Sequence, residues 1–216
     1  GGGGGESKTA DASIGKLETL RKKAAQIEDG RKTYREIGEE MGVNETVAQY
    51  LCDHQQDHPP NPKLPDEARP ELSLEEAAAL WYYTATDDDD ASSLGNVFDR
   101  LQPFSQPVLV SRGMAIEDDD DLAAFVKELD SGEVEWNKAA STATRGGFAG
   151  NVQLKIRARK GLDADKWGKG SIGELLLPPS RYRVVSFKTK KGGIVAELEQ
   201  LVDGEQENYR ASSKPV

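Results

Sequence analysis

An α+β fold, with a small all-helical front and a mixed sheet behind it, is what this sequence of 216 residues predicts. Three observations carry that prediction. Apolar residues recur at spacings of three and four up to about Leu101, which is the period of a helix. After Pro107 the pattern shifts to short runs with β-like alternation, punctuated by Gly and Pro. Between Pro59 and Pro70 lie five of the ten prolines, which marks a stiff boundary between two regions. Helices first and strands afterwards suit a mixed or antiparallel sheet with flanking helices.

The elements follow in order. Residues 1–13, opening on five glycines and no methionine, form a flexible linker by composition and suggest a segment of something longer. Ile14, Leu17, Leu20, Ala24 and Ile27 predict a first helix that Asp29-Gly30 ends. Thr33 with Glu36 forms a capping box ahead of a helix Tyr34–Met41, and Gly42 suits its left-handed C-cap. Asn44 caps a further helix, Glu45–Cys52. Residues 14–58 therefore predict a helix-turn-helix-like module, residues 59–70 a linker, residues 71–203 the main domain and residues 204–216 a tail. In the main domain Ser73 and Glu76 box a helix Glu75–Thr84, Asp87–Asp90 predicts a solvated loop, and Leu94, Val97, Phe98 and Leu101 predict a short helix. Val108–Ser111 predicts a strand. Asp118–Asp121 opens an amphipathic helix with its acids at the positive end. Val152–Ala158, Glu174–Leu177, Tyr182–Phe187 and Ile194–Val202 predict further strands.

Composition narrows the function. Hydrophobic residues make up 36% and charged residues 31%, so the chain can bury a core. A formal net charge of −10 argues against coating nucleic acid or an anionic membrane by charge alone. No apolar run approaches the ~20 residues that cross a bilayer, and no signal-peptide pattern is present, so no membrane partner is expected. Cys52 stands alone, which excludes an internal disulfide framework. His54 and His58 have a metal-compatible spacing, yet Pro59-Pro60 follows at once and nothing completes a ligand set, so no metal is expected. As a DNA reader, the second helix of the front module would offer Asn44, Glu45, Thr46, Gln49 and Tyr50 but no Lys or Arg. A spacer or protein-docking role is the equal alternative.

Three segments carry chemistry. VLVSRGM holds Arg112 and Gly113; ASTATRGGFAG holds Ser141, Thr142, Arg145 and Phe148; GELLLPPSRYRVVSF opens on Glu174. This series resembles the Arg–Ser-Thr-Ser–Glu class of mono-ADP-ribosyltransferases, which includes bacterial toxins and transferase domains of phage head-morphogenesis proteins. The resemblance spans Leu72 to about Val202 and implies an ADP-ribosyltransferase-like sheet core and NAD as the substrate. Elementary chemistry asks for the same groups. Loss of nicotinamide from NAD leaves positive charge on the ribose, so the transition state is oxocarbenium-like and wants a nearby anion, for which Glu174 is the candidate. The pyrophosphate wants a planar, permanently charged fork, which Arg112 supplies. Ser141 would fix Glu174 and Thr142 would support its strand. The resemblance implies that the loop after Ser141-Thr142 covers phosphate and nicotinamide; there Arg145 could touch phosphate, Phe148 could stack on the cationic nicotinamide ring, and Gly146 and Gly147 let backbone approach a ligand.

The resemblance further implies that Gly161–Gly173 selects the acceptor, with Trp167 as an exposed aromatic there. Ile172 occupies the place two residues before Glu174 where arginine-modifying members carry Glu and Rho-modifying members Gln. An isoleucine orients neither acceptor, so NAD hydrolysis or an unusual acceptor gains weight. Ala143 likewise stands in the third place of Ser-Thr-Ser and removes one hydroxyl. Trp136 is expected in the core. The acceptor is expected to be a protein, with nucleic acid open. The setting stays open among a phage virion with virion-protein partners, the host cytoplasm and a secreted effector. A catalytically weakened structural or DNA-binding virion protein is the remaining alternative.

Overall fold

The structure, a computed structural model, describes residues 17–53, 59–86, 91–146, 149–168 and 173–202. It divides into two compact units. One comprises residues 1–59, 71–99 and 164–171, the other residues 60–70, 100–163 and 172–216.

The first unit is helical. Its helices are α1 (Leu17–Glu28), α2 (Tyr34–Met41), α3 (Glu45–Asp53), α4 (Leu74–Ala85), α5 (Gly95–Arg100) and the short α7 (Ala164–Trp167). The caps form as the sequence dictates. At α2 the Glu36 backbone N–H donates to Thr33 Oγ1 at 3.2 Å and the Thr33 N–H donates back to Glu36 at 3.3 Å. Gly42 ends the helix with φ 71°, a left-handed conformation that glycine adopts without a Cβ penalty. Ser73 and Glu76 build the same box on α4. Asn44 Oδ1 accepts from the Val47 N–H at 2.8 Å and starts α3. Each such cap contributes about 1 kcal/mol. Leu20, Val47, Leu51 and Ala78 close one core, and Ile37, Ala48 and Cys52 a second. Tyr50 meets Trp81 edge to face at 6.0 Å. Burial pushes the Cys52 thiol up, as suits a packed, inert cysteine. Of the basic residues in the front helical module, Lys23 and Lys32 both bind Glu40.

The second unit is one sheet of eight strands with helix α6 (Asp119–Asp130) packed on it. The strands are β1 (Val108–Met114), β2 (Glu133–Trp136), β3 (Ala140–Ala143), β4 (Val152–Ala158), β5 (Leu162–Asp163), β6 (Glu174–Leu177), β7 (Ser180–Lys190) and β8 (Gly193–Gln200). Their spatial order is β2-β7-β8-β4-β1-β3-β6-β5. The β4–β8 pair is parallel and the other pairs are antiparallel. The fold is thus α+β around a mixed sheet. Asp118 caps α6 by accepting from the Asp120 and Asp121 N–H groups at 2.8 and 3.0 Å. The inner face of the sheet buries Val110, Leu154, Ile156, Leu175, Leu177, Tyr182 and Leu198 against Phe125 and Leu129 of α6. Arg183 closes on the buried Glu199 with Nε at 3.1 Å and Nη2 at 2.5 Å.

Two regions sit differently from the sequence-based division. Residues 71–99 join the helical unit, because Ala78 of α4 packs into the core built by α1 and α3. Residues 60–70, expected as a linker, belong to the sheet unit, where Leu64 and Ala68 enter the main core and Asn61 is buried. Among the described residues no helix is long and apolar enough to cross a membrane, and no group of His, Cys, Asp or Glu could hold a metal. The glycine-rich start, His54, His58, Asp87–Asp90 and the tail lie outside the described residues.

Candidate active site

Strands β3 and β6 carry the centre of the site. Their antiparallel register sets Ala143 opposite Glu174, Thr142 opposite Leu175 and Ser141 opposite Leu176. Alternation along a strand then divides the side chains between faces. Leu175 turns into the core, and Thr142, buried with it, donates from Oγ1 to the Leu175 carbonyl at 2.7 Å. Ser141, Ala143 and Glu174 share the other face. Alanine at 143 leaves no hydroxyl directly across from Glu174, so the partner is the diagonal neighbour: the Ser141 hydroxyl donates to the Glu174 carboxylate. Both residues are only partly buried, so a ligand can reach them.

Arg112 comes from β1, where it lies opposite Leu154 of β4. Its Nη1 donates to the Ser141 carbonyl at 2.8 Å. One residue, Ser141, therefore receives the guanidinium on its backbone and holds the carboxylate with its side chain. Gly113 follows Arg112 in the strand and pairs with Gln153. Arg145 is exposed just beyond the end of β3, and its stem passes close to Gly173: a Cβ built there would lie 3.3 Å from Arg145 Cγ. Arg112, Ser141, Thr142, Arg145 and Glu174 are thus gathered around the β3–β6 pair.

Trp167, expected as an exposed aromatic of the acceptor loop, is instead buried, with a relative exposure of 9%. It ends α7, which packs on α4, and Lys166 Nζ stands 5.1 Å from its ring centroid. The polar neighbours Asp165 and Lys166 suggest a solvated loop, but the short helix turns the indole inward. Phe148 and Ile172 lie outside the described residues.

Two aromatic residues join the site that the motifs did not single out. Trp136 of β2, expected as plain core, is half-buried and lies under the guanidinium, with Arg112 Cζ 5.9 Å from its ring centroid. Tyr182 of β7 is buried beneath it, the two rings 4.7 Å apart. Burial pushes the Tyr182 hydroxyl well above the usual phenol range, while Ser180 and the Arg112 charge pull the other way. The shelf holds Arg112 by a cation–π contact of about 0.5–1 kcal/mol. Strand alternation was the available signal, since Tyr182 and Val184 of the RYRV run share the inner face.

The fold and site define a class: a mixed-sheet α+β protein that presents arginine, serine and glutamate together from neighbouring strands. No protein-family model matches the chain, and no curated protein matches it in sequence. Solved structures do match. The type III effector XopAI from Xanthomonas axonopodis pv. citri aligns over 61% of this chain and 68% of its own, with 14% identity and a TM-score of 0.50. The ADP-ribosyltransferase HopU1 of Pseudomonas syringae pv. Tomato DC3000 aligns over 62% and 79%, with 18% identity and a TM-score of 0.47. C3stau2 from S. aureus, solved with NAD, aligns over 61% and 88%, with 19% identity and a TM-score of 0.43. At such identities the likeness is one of fold, and function rests on the site.

Proposed function

We propose that this chain is an NAD-dependent mono-ADP-ribosyltransferase. The observation that carries the reading is the double hold on Ser141, whose carbonyl takes Arg112 and whose hydroxyl takes Glu174. In this mechanism Arg112 grips the pyrophosphate of NAD through its planar fork, with the exposed Arg145 as a second phosphate contact. Glu174 faces the nicotinamide ribose. The C–N glycosidic bond breaks, its electron pair leaves with neutral nicotinamide, and the carboxylate stabilises the charge that develops on the sugar. An acceptor oxygen or nitrogen then bonds to the anomeric carbon and releases its proton. Ser141 keeps the carboxylate aimed, and Thr142 ties β3 to β6 beneath it. Phe148 is the proposed stacking partner of the nicotinamide.

The acceptor is the finer part of the proposal. Ile172 provides neither a carboxylate nor an amide two residues before Glu174. That favours a second reading, in which water is the acceptor and NAD is hydrolysed. With an acceptor at hand, a protein side chain is the proposed target, reached as a secreted effector or as a phage-delivered enzyme. A DNA-reading role for the front module is not favoured, since Glu40 engages both Lys23 and Lys32. The test is incubation with NAD labelled in the ADP-ribose moiety, with and without lysate, scoring nicotinamide, free ADP-ribose and labelled macromolecule separately. The expected result is nicotinamide release that Glu174→Gln abolishes while the fold persists. Release that survives Glu174→Gln overturns the assignment.

A further inference from the structure

The segment 60–70 looks like a linker in sequence, yet its Asn61 and Arg69 both bond a buried carboxylate of the sheet unit. Asp163 of β5 is 0% exposed. Its Oδ2 accepts from Arg69 Nη1 at 3.0 Å and from the Asn61 backbone N–H at 2.9 Å. A buried carboxylate is tolerated when it is paired and hydrogen-bonded in this way. Asn61 then reaches across. Its Nδ2 donates to Thr144 Oγ1 at 3.0 Å, and its Oδ1 accepts from the Lys63 N–H at 3.0 Å.

Thr144 passes the connection on. Its Oγ1 donates to the Gly173 carbonyl at 3.1 Å, and its backbone N–H donates to the same oxygen at 2.7 Å. Gly173 is the residue immediately before Glu174. It sits at φ 77°, a left-handed conformation, and a Cβ there would come within 2.7 Å of Thr144 Oγ1. On the other flank of β6, Asp163 pairs with Leu175, the residue immediately after Glu174. The strand entry that bears Glu174 is thus flanked by Thr144 on one side and Asp163 on the other, and Asn61 bonds to both. Such a closed network fixes geometry more strongly than its separate bonds would.

We propose that Asn61 and Thr144 are positioning residues for Glu174, and that the 60–70 segment is a strut that holds the Gly173–Glu174 corner in its working orientation. The role rests on the transferase reading for its meaning in catalysis. Neither residue touches substrate; each acts through the Gly173 carbonyl. The hydroxyl of Thr144 also restores, one residue later, a tie between β3 and the Glu174 strand that Ala143 does not provide.

The test uses the full chain and the pair Thr144→Val and Thr144→Ser. Valine keeps the shape and removes the hydroxyl; serine keeps the hydroxyl. Two readouts are taken: amide hydrogen exchange across residues 173–177, and kcat and KM for nicotinamide release from NAD. Thr144→Val is expected to speed exchange at 174–175 about tenfold and to lower kcat about tenfold, with KM within about twofold of wild type. Thr144→Ser is expected to restore both. Asn61→Ala tests the same hold from the strut and repeats the pattern should the valine variant fail to fold. Unchanged exchange, a serine variant that behaves like valine, or a loss seen only in KM overturns the proposal. Wild-type protein that never cleaves NAD sinks the transferase reading alone, since the exchange comparison still decides whether the strut holds the corner.

Discussion

Two glutamates in one sheet show opposite ways of using a carboxylate. Glu199 of β8 is buried and closed on by the Arg183 guanidinium, with both of its bonds from Arg183 on one oxygen. Glu174 of β6 is only partly buried and meets the Ser141 hydroxyl, while the nearby Arg112 is directed to the Ser141 backbone. The first arrangement satisfies charge with charge and serves packing. The second places a hydroxyl donor on a partly buried carboxylate, whose proposed role is to face a ligand that carries developing positive charge.

Neutralising each carboxylate in turn separates the two roles. Glu174→Gln is expected to lower nicotinamide release by at least about 10²–10³-fold, the scale of losing one preorganised electrostatic contact, with thermal stability near wild type. Glu199→Gln strands Arg183 and is expected to cost about 3 kcal/mol, a Tm drop of roughly 10 °C, while specific activity of the folded fraction persists. Parallel melting curves and nicotinamide assays on both variants give the answer. If Glu199→Gln abolished turnover at full stability, or Glu174→Gln melted the sheet unit, the division of labour would be wrong.

A smaller effect is expected at the cation of the site. Arg112→Lys keeps the charge but loses the planar fork proposed to bond two phosphate oxygens and the flat face that lies over Trp136. KM for NAD is expected to rise about tenfold, with a lesser fall in kcat, as befits a group that binds substrate and transition state alike. Trp136→Leu removes only the shelf and is expected to raise KM about two- to fivefold, in line with a cation–π contact near 0.5–1 kcal/mol. Steady-state kinetics on the two variants separate grip from support. Equal effects would mean that Trp136 contacts NAD directly.

Much of this was legible in sequence where the cause is local. Thr33 with Glu36, Ser73 with Glu76 and Asp118 fix helix starts through bonds within three residues, so the pattern of types sufficed. The candidate residues Arg112, Ser141 and Glu174 were legible because each stands in a short motif that resembles a known family. What escaped depends on distant partners. Ala140–Ala143 has little strand character of its own and becomes β3 because β6 pairs with it along its length. The prolines of 59–70 announce stiffness but not that Leu64 and Ala68 are buried, nor that Asn61 bonds Asp163 and Thr144. Trp167 shows the converse: its polar neighbours signal solvent, and the packing of α7 on α4 overrides them.

A third carboxylate, outside the sheet, is paired at the surface. Glu40 of α2 lies at the surface of the helical unit between Lys23 and Lys32, and their hydrogen bonds hold its carboxyl down to about 2 from an ordinary 4.5. A depressed carboxyl contributes stability that is present above the unfolded value and lost as pH falls through the folded one. The difference in Tm between wild type and Glu40→Gln is therefore expected to be steady from pH 7 down to about 4.5 and to fade between 4.5 and 2. Because the pair is exposed, it is also expected to shrink in about 1 M salt, where screening acts within a few ångströms. The Glu199→Gln difference, set by a buried pair, should resist that salt. A salt response of equal size at both positions would mean that burial does not separate the two kinds of ion pair.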